Sequence, residues 1–299
     1  MIAQHRIIAA AGLGLSILFT SCGGGQEIGD PEITTDTLST TPRETEILSI
    51  GGRLFSIPSP VQGALAIRNA GLQYKKDLTT PLDHADRATG KIAQATLLGI
   101  YGADLAYTTV HQDGQQAMVT LQVIEKLASA LELSNAFDRK LMEEFRTNLS
   151  NEDSLLRFSS KAFSAADRYL KTDQREDVST LILTGGWIQS LYLSLADPSA
   201  LSDQKLIDRI GDQKASLDAL IELLTNTDSD RSAAALIQAM RELRTEYDGV
   251  VRTYNYESPV TDAARKTTFI NSASTVSIPP EKLEAIRARV ATVRSLILA

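Results

Sequence analysis

Asp104 is the residue whose placement most suggests chemistry, because it interrupts an otherwise uncharged run from residue 92 to residue 110. On a helix, Asp104 lies one turn from Tyr101 and one turn from Tyr107. A buried carboxylate must be hydrogen-bonded or paired, since burying it bare costs several kcal/mol. Two interpretations follow. Asp104 is either a ligand-facing acid at the bottom of a groove or a structural residue that ties its helix to a neighbour's Arg or helix N-terminus. We favour the structural interpretation.

Trp187 is the only Trp of the chain, and it follows two glycines in a predicted helix. Two glycines inside a helix cost about 1–2 kcal/mol relative to Ala, so a tight helix crossing is expected here. The helix that contains Asp104 also has a stripe of small residues, which lets a neighbouring helix approach closely: Ala95, Gly99, Gly102, Ala106 and Thr109. We predict that Trp187 packs in the core and that its indole N–H finds a partner; a stacking platform for a ligand is the alternative.

Known catalytic and metal-binding arrangements are missing from the sequence. His84 and His111 have no ligand spacing, and the single Cys cannot form an intramolecular disulfide or a thiolate cage. We therefore predict no catalytic, cofactor-binding or metal-binding residues, and an enzyme is not the favoured class. The net charge of −7 repels phosphate backbones, which argues against nucleic acid as a partner.

The N-terminus has the pattern of an export signal. Arg6 precedes an apolar run over residues 7–19, and residues 18–22 (LFTSC) resemble the bacterial lipobox. We predict a signal peptide over residues 1–21, lipidation of Cys22 with acyl chains such as palmitate, and a flexible tether over residues 22–46. A tether of this length reaches roughly 25–30 Å, so the chain contacts the membrane through its lipid.

The rest of the chain, residues 47–299, is predicted to form a single all-α domain. Apolar residues recur at spacings of three and four in about eight to nine segments, which indicates a multi-helix bundle or an array of helical hairpins. The predicted helices include residues 82–110, 151–170 and one that continues to Tyr254. The uncharged run over residues 178–196 is weighed as a membrane span, but its polar load favours a buried central helix.

Two segments favour β-structure. Residues 47–50 and 53–57 flank Gly51-Gly52, which predicts a small β-hairpin at the start of the domain. Residues 267–270 and 275–278 are also β-leaning. A small sheet joining the two ends of the domain would pair these segments with the hairpin.

Three segments carry a resemblance to a known family. Residues 57–60 (IPSP), 99–107 (GIYGADLAY) and 185–188 (GGWI) resemble recurring blocks of Bacteroidota-type helical lipoproteins, a family without an assigned activity. The similarity spans about residues 55–197. It implies a Gram-negative cell envelope, with the outer membrane favoured, and it implies no catalytic residues.

The leading functional hypothesis is an envelope-anchored lipoprotein whose non-catalytic helical domain binds a protein partner or a small ligand. One alternative is a carboxylate-dependent hydrolase of the envelope that uses Asp104 with a second acid, and it requires two carboxyl groups in one open cleft. The other alternative is a structural scaffold of an envelope complex, for which a large exposed apolar patch would be the sign.

Overall fold

The structure is a computed structural model that describes residues 45–50, 53–133, 139–148, 157–158, 161, 175–197 and 202–299. The predicted signal peptide, Cys22 and nearly all of the predicted tether lie outside the described residues, as does most of the helix predicted over residues 151–170. The first strand begins at Thr45, so the last two residues of the predicted tether belong to that strand.

The all-α prediction is confirmed. The described helices are α1 (Pro60–Asn69), α2 (His84–Arg87), α3 (Lys91–Val110), α4 (Gly114–Ala130), α5 (Arg139–Thr147), α6 (Glu176–Leu195), α7 (Gln204–Thr227), α8 (Ala234–Glu246) and α9 (Pro280–Leu298). The strands are β1 (Thr45–Ile50), β2 (Arg53–Pro58), β3 (Val251–Asn255), β4 (Val260–Asp262), β5 (Thr267–Phe269) and β6 (Ala273–Ser277).

Helices α3 and α6 form the centre of the domain. They pack along each other; α3 also contacts α1 and α4, while α6 contacts α7 and α9. Both helices are apolar and nearly uncharged, so each can be buried on most sides. Within the described part of the chain, α6 is the one helix long and apolar enough to cross a membrane, and most of it is buried inside the protein.

Glycines with a left-handed backbone mark the end of α1 and the start of α3. α1 starts with Pro60 in its first turn, and Gly71 just beyond it adopts a left-handed φ of 73°. The predicted helix over residues 82–110 is wrong in its first part, because Gly90 adopts a φ of 81° and separates the short α2 from α3. The helix predicted to reach Tyr254 ends at Glu246, just before Asp248-Gly249.

The strands form three separate two-stranded antiparallel sheets. β1 pairs with β2, which confirms the predicted hairpin. β3 pairs with β6, and β4 with β5, so residues 251–277 form one long hairpin that we call the β-arm. The expected sheet joining the two ends of the domain is wrong, because both C-terminal β segments pair within the β-arm.

Candidate functional site

Close contact between α3 and α6 places Asp104 inside the domain. A Cβ atom at Gly99 would overlap the carbonyl oxygen of Ile182, and one at Gly185 would overlap that of Thr96. The two backbones can approach this closely only because both positions are glycine. The tight crossing predicted from the small residues is therefore present, and it brings the polar residues of both helices into one buried layer.

Asp104 is closed off from solvent, with 1% of its surface exposed. Its Oδ2 accepts a hydrogen bond from the backbone N–H of Thr80 (2.9 Å), and its Oδ1 accepts one from Nε2 of Gln189 (2.7 Å). Both carboxylate oxygens are thus occupied by protein donors, which is the arrangement that a buried charge requires.

Arg294 of α9 completes the network around Asp104. Its Nε donates to Oε1 of Gln189 (2.6 Å), and its Nη2 donates to the hydroxyl of Thr80 (3.0 Å). The guanidinium also lies over the ring of Tyr192, 4.3 Å from the centroid. Gln189 and Thr80 therefore bridge Asp104 to the positively charged Arg294. The network connects α3, α6, α9 and the segment before α2.

Burial raises the pKa of the Asp104 carboxyl from 3.8 to about 6. The hydrogen bonds from Thr80 and Gln189 and the charge of Arg294 act in the opposite direction, but they offset only part of the loss of hydration. The carboxyl is buried, and among the described residues its hydrogen bonds come from Thr80 and Gln189, neither of which is acidic. The geometry suits a structural tie, and it does not offer a substrate access to Asp104.

Tyr101 and Tyr107 hold the segment that runs from α1 to α2 against α3. The hydroxyl of Tyr101 donates to the carbonyl of Pro81 (2.7 Å), and that of Tyr107 accepts from the backbone N–H of Lys75 (3.0 Å). Burial raises the pKa of both phenols, so they remain neutral. Like Asp104, these two side chains are buried and hydrogen-bonded within the protein.

Trp187 lies apart from Asp104. On α6 it is two residues from Gln189, so the two side chains project to nearly opposite sides of the helix. The indole N–H of Trp187 donates to Oε1 of Gln213 on α7 (2.8 Å), and only 4% of the residue is exposed. The small cavity beside it, of about 30 Å³, has room for one or two waters. Trp187 is packed in the core as predicted.

The two histidines are also separate. His84 contacts the carbonyl of Leu298 through Nδ1 (3.0 Å), whereas His111 stacks on Tyr74 and makes an edge contact with Tyr107. Burial lowers the pKa of His111. No group of three or more metal-ligating side chains occurs within the part of the chain that the structure describes.

Three members of the network were not singled out from the sequence: Thr80, Gln189 and Arg294. The only sequence signal for Arg294 is its position directly after Val293, at the end of the apolar stripe of α9. Gln189 is one of several polar residues in the uncharged run of α6 and has no distinguishing spacing. The need of Asp104 for a partner was predictable, but the identity of that partner was not.

The β-arm is the second feature of interest, because its apolar residues are exposed. Of the seven large hydrophobic side chains that are exposed in the described residues, Leu296 alone lies outside the arm. The six on the arm are Val251 (58%), Tyr254 (62%), Tyr256 (68%), Val260 (57%), Phe269 (45%) and Ile270 (77%). Such a concentration of exposed apolar surface is typical of an interaction site.

The root of the β-arm is fixed to α7. Val276 is buried against Gly211, its N–H donates to Asp208 (3.0 Å), and its carbonyl accepts from Gln204 (3.0 Å). An ion pair between Arg252 and Asp212 adds a second attachment. Beyond these contacts nearly every residue of the arm is exposed on both faces.

Comparison of the chain with protein-family models, with curated proteins and with solved structures finds no match.

Proposed function

We propose that this protein is an envelope-anchored lipoprotein whose helical domain is a non-catalytic module that binds a protein partner through the β-arm. Lipidation of Cys22 anchors it, and the segments that resemble Bacteroidota-type lipoproteins point to the outer membrane as the location. The observation that carries the proposal is the clustering of exposed apolar side chains on the arm.

A protein partner is favoured over a small ligand because of the shapes of the two candidate sites. Asp104, Tyr101 and Tyr107 are buried and bonded to the protein itself, so they leave no concave, partly polar pocket of the kind that small molecules occupy. The β-arm is the opposite: a projecting element with apolar side chains and free strand edges. Protein partners commonly add a strand to such an edge.

The hydrolase alternative has less support. It needs a carboxylate pair about 5–9 Å apart in an open cleft, whereas both oxygens of Asp104 are occupied by Thr80 and Gln189 in a closed core. The scaffold alternative also needs an exposed apolar surface, and the β-arm supplies it. This alternative therefore differs from the proposal only in the number of partners that bind.

An in-cell cross-linking experiment with the tagged full chain tests the proposal. The arm variant combines Tyr256→Ser with Phe269→Ser, and the matched control is Leu296→Ser, which removes an exposed apolar side chain outside the arm. A Cys22→Ala variant tests the anchor. We expect one envelope protein to be enriched with the wild type and the control and lost with the arm variant. Equal recovery from the arm variant and the control would contradict the role of the arm.

A further inference from the structure

We propose that the partner of the β-arm is the β-arm of a second copy of this chain, paired antiparallel about a twofold axis. The inference rests on the proposed function, because it assumes that the arm binds protein, and it names the partner. It is drawn from the distribution of apolar and charged residues along the arm and from the free edges of its strands.

The apolar side chains are concentrated between the two ends of the arm. Tyr254 lies on β3, Val260 on β4, and Tyr256 in the segment between these two strands. Phe269 is paired with Val260, Ile270 follows β5, and the turn at residues 263–266 carries Arg265 and Lys266. At about 3.3 Å per residue, the segment over residues 251–262, which comprises β3, β4 and the four residues between them, spans at most about 40 Å. When two such arms overlap antiparallel, their apolar middle sections coincide and each tip reaches the root of the other arm.

Charge favours the same arrangement. The arm carries three basic and two acidic residues, whereas the rest of the chain has a net charge of −8. Two bodies of that charge repel each other, and the arms are where two copies can approach with the least repulsion. An antiparallel overlap also places Arg265 and Lys266 of each copy beside the acidic body of the other.

The exposed side chains of the arm supply a substantial part of the area that a stable interface uses. An aromatic side chain offers roughly 150–250 Å² on burial, so three aromatic and three aliphatic side chains together present several hundred Å². A stable interface uses about 800 Å² from each partner. A two-stranded ribbon alone is only marginally stable, and pairing two ribbons gives a four-stranded sheet in which fewer edges remain free.

A membrane surface is a less suitable occupant. The tip of the arm holds Asp262, Arg265 and Lys266, and the apolar residues lie behind it, so insertion by the tip would bring charges into the bilayer first. Except at Val276, whose backbone groups are bonded to α7, the outward backbone groups along the strand edges would also lose their water without gaining partners. A second β-arm would instead provide hydrogen-bond partners for these backbone groups.

Cysteine cross-linking in the full chain, in native membranes, tests the inference. Glu257→Cys puts a thiol in the middle of the arm without removing an apolar side chain, and Glu144→Cys on α5 is the matched control. The unsubstituted chain shows whether Cys22 contributes. Mild oxidation should convert at least ten times more Glu257→Cys than Glu144→Cys into a disulfide-linked dimer. Circular dichroism of both variants checks that the fold is retained.

Two further variants test the antiparallel direction. Arg265→Cys at the tip should not cross-link to itself, but it should cross-link to Val251→Cys when the two chains are co-expressed with different tags. Self-cross-linking of Arg265→Cys would overturn the antiparallel arrangement.

A failure of Glu257→Cys to exceed the control overturns the inference. If the arm-dependent partner of the pull-down is then a different protein, the proposed function stands without it. If instead Glu257→Cys is shielded from a water-soluble maleimide only when the protein is in membranes, the arm contacts lipid, and both the inference and the arm's protein-binding role fail.

Discussion

Replacement of Asp104 by Asn tests whether burial or hydrogen bonding dominates the energetics of the polar network. In the folded protein the carboxylate accepts from Thr80 and Gln189, and Gln189 is oriented by Arg294, which can only donate. The Asn amide has one oxygen, so its NH₂ group must face one of these donors. We expect Asp104→Asn to cost about 1–3 kcal/mol at neutral pH, the usual cost of an unsatisfied buried polar group.

The pH dependence of that cost is the sharper prediction. The pKa of Asp104 is about 6 in the folded state and 3.8 when unperturbed, so between these values the folded state binds more protons than the unfolded state. The raised pKa therefore contributes stability that is full below about pH 3.8 and is lost as the pH rises through about 6. The difference in pKa corresponds to about 3 kcal/mol.

Urea unfolding of the wild type and of Asp104→Asn at several pH values between about 4 and 7 measures this contribution. The fluorescence of the single, buried Trp187 reports unfolding. Other titrating groups are common to both proteins and cancel in the difference between their free energies of unfolding. That difference should fall by about 2.4 kcal/mol from the lowest to the highest pH, since at about pH 4 the contribution is not yet complete. A difference that rises with pH would refute the reasoning, because the hydrogen bonds and Arg294 would then outweigh burial.

Three further predictions concern packing, an unpaired hydroxyl and the arm. Gly185→Ala should destabilise the fold by more than about 3 kcal/mol in thermal unfolding, whereas Gly186→Ala should cost clearly less, because its new Cβ would lie 3.3 Å from the Gly99 carbonyl oxygen. Tyr247→Phe should leave stability equal or raise it by up to about 1 kcal/mol, since the buried Tyr247 hydroxyl has no hydrogen-bond partner among the described residues; a clear loss of stability would contradict this. Tyr256→Ser should change the free energy of unfolding by less than about 0.5 kcal/mol, because the side chain is 68% exposed; a larger loss would mean that the arm supports the fold.

Local patterns predicted the centre of the fold. The small residues of α3 and the glycine pair of α6 indicated a tight crossing, and the structure brings these two segments together through Gly99 and Gly185. This was possible because a glycine inside a helix is unfavourable unless a close neighbour requires it. The partners of Asp104 were not predictable in the same way. Arg294 is 190 residues away in sequence, and no local periodicity relates the two.

The first half of the β-arm was missed because one sequence pattern fits two structures. Tyr247, Val250 and Tyr254 continue the three-four spacing of α8, which predicts more helix. The β-branched and aromatic residues from 250 to 254 favour a strand equally well, and Gly249 is a signal for the end of the helix. Spacing alone does not decide between these readings; what decides is that the segment pairs with β6, which follows some 20 residues later.

The polar network around Asp104 and the β-arm point to different roles. A buried acid with a raised pKa is commonly taken as a sign of an active site. Here the same observation has a structural cause, because the carboxylate ties α3 to α6 and, through Gln189, to α9. The exposed arm has the opposite property, since its apolar side chains gain nothing from the fold that presents them. A set of exposed apolar residues that does not stabilise its own domain is typical of an interaction site, and it supports the proposal that the β-arm, rather than Asp104, binds the partner.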